Sequence, residues 1–129
     1  MLPRRNRLRL NRDFHRIYAR GRRASSASLT LIVLRTGRVG EVLVGFSVSK
    51  KVGNAVIRNR TKRVLREAFQ SFMPRIKTGC RLVFVVRPSI VTDGRVDYHA
   101  VCRAMEQLLT RAKLMKEEDG DKPRASSGV

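Results

Sequence analysis

Between Gly45 and Phe72, in GFSVSKKVGNAVIRNRTKRVLREAFQSF, the apolar period changes from two to nearly four, and the rest of the chain must fold around that change. Phe46 and Val48 alternate with Ser47 and Ser49, the pattern of a strand with one buried face. Lys50, Lys51 and Gly53 break the strand. Asn54 then stands where a side-chain oxygen caps the first-turn N–H groups of a helix. At about 100° per residue, Ile57, Thr61, Val64, Leu65, Ala68 and Phe72 fall on one side of that helix. Asn59, Lys62, Arg63 and Arg66 fall on the opposite side, with Arg58 and Arg60 at its flanks. Glu67 is the only carboxylate in the stretch.

A merely solvated helix face mixes signs, because opposite charges four residues apart help and like charges hurt by about 0.2–0.5 kcal/mol. This face accepts the repulsion throughout, which is stable when a polyanion neutralises it. Its preference for arginine suits forked contact with phosphate oxygens. The rest of the chain agrees. Lys116–Val129 hold three of the 29 bases and four of the 10 acids, so the body keeps 26 bases against 6 acids, a charge of about +20. A folded body this basic implies an anionic partner, with nucleic acid first.

A membrane is the competing polyanion, but no apolar run reaches the roughly 18 residues of a spanning helix. The longest runs, Leu29–Leu34 and Leu82–Val86, have strand length. The basic N-terminus lacks the apolar region of a secretory signal, so a cytoplasmic protein is expected. Cys80 and Cys102 have no His at metal-ligand spacing and read as buried free thiols. His15 and His99 have no adjacent nucleophile or paired carboxylate and read as structural or surface residues.

With 129 residues, the chain suits one domain, predicted over 1–115. Residues 1–10 read as a flexible basic arm, with Arg4, Arg5, Arg7 and Arg9 preceding any acid. A short helix follows, with Asn11 as N-cap, Gly21 just past its end, and Phe14, Ile17 and Tyr18 as its apolar stripe. Arg12, Arg16 and Arg20 form a basic row beside that stripe. Phe14 and Tyr18 read first as core, with stacking on unpaired bases as the alternative. Ser25–Ser28 read as a connector and Leu29–Leu34 as a strand. Thr36–Gly40 reads as a turn, and Glu41–Ser49 is expected to pair back on that strand as a hairpin with a break near Gly45. Pro74 and Gly79 mark the exit of the central helix, Arg81–Arg87 is a strand, and Asp97 caps a last helix buried through Val101, Met105, Leu108, Leu109 and Ala112. The polar tail, 116–129, is expected to be disordered. The order, helix, strands, helix, strand, helix, predicts an α+β fold with helices against one sheet.

The run Ser47-Val48-Ser49-Lys50-Lys51-Val52-Gly53-Asn54-Ala55-Val56, followed by Arg58-Asn59-Arg60, Lys62-Arg63 and Arg66, resembles the bacterial ribonuclease P protein component. The resemblance extends to Arg5–Arg7, Asp13-Phe14 with Tyr18 and Gly21, and Leu82–Arg87, covering roughly residues 4–112. It implies an α-β-β-β-α-β-α fold on one four-stranded sheet, with a left-handed β-α-β crossover. It implies a 1:1 complex with a catalytic RNA, which performs the hydrolysis with Mg²⁺ and removes the 5′ leader of precursor tRNA. The protein itself would bind no cofactor or metal. By position, the catalytic-RNA contacts would be Lys50, Lys51, Asn54, Arg58, Asn59, Arg60, Lys62, Arg63 and Arg66. The leader contacts would be Phe14 and Tyr18, with Arg12, Arg16 and Ile32. Some relatives carry an aromatic where this chain has Ile32.

The residues themselves agree with a non-catalytic protein. A metal-dependent nuclease needs clustered carboxylates, and Asp13, Glu41, Glu67, Asp93, Asp97 and Glu106 show no close spacing. A ribosomal or other structural RNA-binding protein is the alternative. A helix-turn-helix DNA binder using Lys62–Arg66 is a third reading, disfavoured by the strands around the basic helix.

Overall fold

The change of period at Gly45–Phe72 becomes a parallel crossover. Strand β3 (Val42–Ser47) leads into helix α2 (Ala55–Phe72), which returns the chain to β4 (Cys80–Val86), paired parallel to β3. Before them come helix α1 (Asn11–Arg20), β1 (Arg22–Ser25) and β2 (Leu29–Arg35); after them come a two-residue hairpin, β5 (Val91–Thr92) and β6 (Arg95–Val96), and helix α3 (Tyr98–Arg111). This is a computed structural model, and it describes residues 2–116. The polar tail predicted from Lys116 lies, that residue apart, outside the described residues.

The four long strands form one sheet in the order β1-β2-β4-β3, an α+β fold with the predicted order of elements. The predicted hairpin is not formed. β2 pairs antiparallel with β4, and β4 separates it from β3. The reason lies in β4, whose Leu82, Val83 and Phe84 are all buried, so the strand needs cover on both faces and takes the centre of the sheet. β1 is also unforeseen: Arg22–Ser25 pairs residue for residue with Thr30–Val33 and makes the outer edge.

Each sheet face has its own core. One holds Leu31, Val33, Val44, Leu82 and Phe84 against Leu65, Phe69 and Phe72 of α2 and Met105, Leu108 and Leu109 of α3. Phe84 stacks on Phe46 at 5.9 Å and meets Phe69 edge-on at 5.9 Å. Truncating a buried ring such as Phe84 to alanine costs about 3–5 kcal/mol. The other face is covered by α1, where Ile17 packs on Ile32 and Val83. α2 thus lies flat on a sheet between two of its strands in sequence, a setting unlike helix-turn-helix. Asp97 caps α3 as predicted, accepting from the N–H groups of His99 (2.9 Å) and Ala100 (3.4 Å). Cys80 and Cys102 are free thiols; Cys80 is buried, which pushes its pKa up to about 11, whereas Cys102 is half-buried.

The basic arm expected to be flexible over 1–10 is seated instead. Leu2 is fully buried, the Arg7 guanidinium donates to the Leu2 carbonyl, and the Leu8 N–H donates to Val44 O at 2.9 Å along the open edge of β3. Two leucines and a free strand edge outweigh the repulsion of four arginines. Asn11 begins α1 rather than capping it; Leu10 occupies the cap position and no side chain caps the helix. Gly21 follows α1 as predicted, but with φ −74°, so no left-handed turn requires glycine there. Space does: a Cβ at Gly21 would sit 2.6 Å from Ile32 Cγ2.

Candidate nucleic-acid interface

The cationic surface begins at Gly53, whose φ of +158° and ψ of −168° suit glycine and turn the chain sharply into α2. Asn54 caps the helix, its Oδ1 accepting from the Ile57 N–H at 3.0 Å. The Arg58 guanidinium reaches back to the Gly53 carbonyl at 3.1 Å and so braces the same turn. Lys50 and Lys51, on a short helical turn just before, are exposed. Along α2, Asn59, Arg60 and Arg63 are exposed, while Arg58, Lys62 and Arg66 are half-buried. The basic set therefore runs from the outer face onto one flank, rather than lying wholly opposite the core. Phe69, which the predicted apolar side omits, is the residue that turns the helix this way; it is fully buried.

Among the described residues, every ion pair involves Arg81 or Arg38, and no cation of α2 pairs with a carboxylate. The open charge predicted for this helix is present.

Opposite that flank stands α1. Its Phe14 ring lies on the bare backbone of Gly45, where a Cβ would come within 2.4 Å of the ring. Tyr18 follows with its centroid 6.4 Å from that of Phe14. Arg7, Leu8, Phe14, Gly45, Lys62 and Arg66 line a cavity of about 210 Å³. Phe14 and the pair Lys62 and Arg66, assigned by sequence to separate contacts, thus border one space. Arg7 and Leu8 join them unforeseen, because they arrive by the seating of the N-terminal segment.

The register extends this surface. Ile32, Val83 and Gly45 form a row across the sheet beneath α1. The next row is Ser25, Thr30, Val85 and Ser47, a largely polar shelf on the same face. The Arg87 guanidinium reaches Thr30 Oγ1 at 3.4 Å. Arg12 and Arg16 are exposed on α1. Ile32 is not available in the way expected of a leader contact. It is 0% exposed, because β2 is covered on both faces and Ile32 faces Ile17. The shelf residues were missed, since only the pairing register places them side by side.

A latch fixes α1 to the sheet. Arg81 binds Glu41 through Nε and Nη2, both at 3.3 Å, and Asp13 through Nη1 at 3.3 Å. Thr36 Oγ1 donates to Glu41 at 3.0 Å. Burial alone would raise the Glu41 pKa, but the hydrogen bonds from Arg81 and Thr36 and the charges of Arg81 and Arg38 outweigh it, and the group lies below its ordinary value. The fold thus brings two carboxylates together and commits both to one guanidinium. Among the described residues, no group of three His, Cys, Asp or Glu side chains is placed to hold a metal ion.

Residues 2–113 match the family model described as Ribonuclease P. The ribonuclease P protein component of Bacillus velezensis is 32% identical over 116 residues, spanning 90% of this chain and 97% of the relative. That of Alkaliphilus oremlandii is 36% identical over 110 residues, spanning 85% and 93%. Among solved structures, the RNase P protein of Staphylococcus aureus superposes with a TM-score of 0.75 at 28% identity, covering 86% of this chain and 98% of that one. The RNase P protein of Thermotoga maritima gives 0.72 at 31% identity, covering 83% and 97%.

Proposed function

This chain belongs to the ribonuclease P protein family, and from that premise we propose that it is the protein subunit of a bacterial ribonuclease P. It binds the catalytic RNA, and the complex removes the 5′ leader of precursor tRNA. The observation that carries the reading is the set of α2 cations that, among the described residues, pair with no carboxylate, two of which border the Phe14 cavity. Arg58, Arg60, Lys62, Arg63 and Arg66, with Lys50 and Lys51, neutralise phosphates of the catalytic RNA. Each contact releases counterions and adds to affinity in a salt-dependent way. Asn59 faces the same side, and Asn54 serves chiefly by fixing the start of the helix.

The leader, as a single strand, lies between α1 and the shelf of Ser25, Thr30, Val85 and Ser47. Phe14 and Tyr18 supply stacking surface there, and Arg12 and Arg16 supply charge at the rim. Ile32 supports this site from below without touching the strand. Mg²⁺ belongs to the RNA in this scheme, since Asp13 and Glu41 are bound by Arg81 and Glu67 is a single carboxylate on α2. The protein's contribution is to position two RNAs, one protein to one catalytic RNA, in the cytoplasm.

The test is cleavage of a precursor tRNA by the cognate catalytic RNA at low Mg²⁺, with and without this protein. The protein should raise the rate and the affinity for precursor. No change in either rejects the subunit role and leaves a structural RNA-binding protein.

A further inference from the structure

A second cationic concavity lies at the other edge of the sheet, away from the cations of α2 and next to the Tyr18 and Ser25 end of the leader shelf. It has a volume of about 550 Å³ and opens between β1, β2 and the C-terminal end of α3. Its floor is apolar, built from Ala24, Leu31, Val33 and Leu34. Around it stand Arg20 from α1, Arg22 and Arg23 from β1, Arg35 from β2, and Arg111 and Lys113 at the end of α3. Among the described residues, no carboxylate lines it.

We propose that this cavity is a second phosphate-binding site, which holds a strand of RNA at the sheet edge opposite α2; the proposal rests on the RNA-binding function above. Three of its guanidiniums are held in place by neutral acceptors. Arg23 donates to the Tyr18 carbonyl (3.1 Å), Arg35 to the Ala112 carbonyl (2.9 Å) and Arg111 to the Ser25 carbonyl (3.0 Å). A carbonyl fixes the side chain without cancelling its charge, and the remaining N–H groups stay free for phosphate. Such preorganisation lowers the ordering cost of binding. The volume is within the range of small-ligand sites and accommodates a nucleotide unit, with the apolar floor to receive a base.

Lys113 gives independent support. α3 ends in a Schellman motif, with the Leu114 N–H donating to Leu109 O and the Lys113 N–H to Thr110 O, both at 3.0 Å. Lys113 occupies its left-handed position at φ +60°, where glycine is favoured. Lys113 thus adds a sixth cation beside the five arginines from a backbone conformation that glycine would adopt more easily. Arginines on an edge strand also discourage strand pairing between molecules. That role accounts for Arg22 and Arg23, but not for the four cations that arrive from α1, β2 and α3.

The test uses the full chain and its catalytic RNA, measuring affinity across a salt series and Tm for each variant. Lys113→Gly should keep or raise Tm while lowering the salt slope by about 0.7–0.9 units, the loss of one phosphate contact. The double variant Arg20→Gln with Arg22→Gln should lower the slope by about 1.4–1.8 units. Arg63→Gln on α2 serves as the reference. If Arg63→Gln lowers the slope while both cavity variants keep the wild-type value, the second site is refuted and the α2 reading stands. If none of the three changes the slope, both readings fall.

Discussion

At the scale of single residues, position in three dimensions decides what each charge is for. Glu41 is the clearest case. Its carboxylate is held in ionised form by Arg81 and Thr36, so its folded pKa lies below the unfolded one. A depressed carboxylate stabilises the fold above its unfolded pKa, and the contribution disappears as pH falls through the folded value. Glu41→Gln should therefore cost about 1 kcal/mol near neutrality. The gap from wild type should close as pH falls below about 4.5, the ordinary value of the group. Thermal melts from pH 7 to pH 3 measure this, and a gap independent of pH would remove Glu41 from the latch. Nothing local in the sequence relates Asp13, Glu41 and Arg81, which lie 28 to 68 residues apart in chain order and meet only through strand register. Gly45 is similar: it reads as a break in a strand, yet its purpose is to let the Phe14 ring lie on the backbone.

At the scale of elements, the helices were legible and the strand order was not. α2 and α3 announce themselves through apolar spacing and through Asn54 and Asp97, whose oxygens cap them. Asn54→Ala should cost about 1 kcal/mol, since it leaves a first-turn N–H without its partner. Denaturant unfolding tests this, and an unchanged midpoint would mean that the cap contributes nothing. β1 escaped notice because Arg-Arg-Ala-Ser carries no apolar alternation; it is a strand only because β2 offers it an edge. The small β5–β6 hairpin did have a signal, Asp93-Gly94, both at positive φ as a type I′ turn requires. The Thr36–Gly40 turn signal misled in the opposite direction. It reverses the chain, but β4 intervenes, with the N–H groups of Thr36 and Gly37 donating to Gly79 O at 2.8 and 3.1 Å.

At the scale of the whole molecule, the sheet separates two cationic regions while carrying an aromatic groove on one face. The basic helix and its family signature could be read from sequence because both are local. The junction between Phe14 and the Lys62–Arg66 flank could not, because it depends on α1 and α2 meeting across β3. That junction predicts a division of labour. Alanine at Phe14 or Tyr18 should weaken binding of leader-bearing precursor several-fold while leaving mature tRNA nearly unaffected; equal losses would remove both rings from the leader site. The most direct test of the central claim, that cations of α2 paired with no carboxylate among the described residues hold the catalytic RNA, is a salt series of RNA affinity for wild type and for the triple variant Arg60→Gln, Arg63→Gln and Arg66→Gln. The account predicts that the triple variant loses roughly two to three units of salt slope. A slope equal to that of wild type would contradict it.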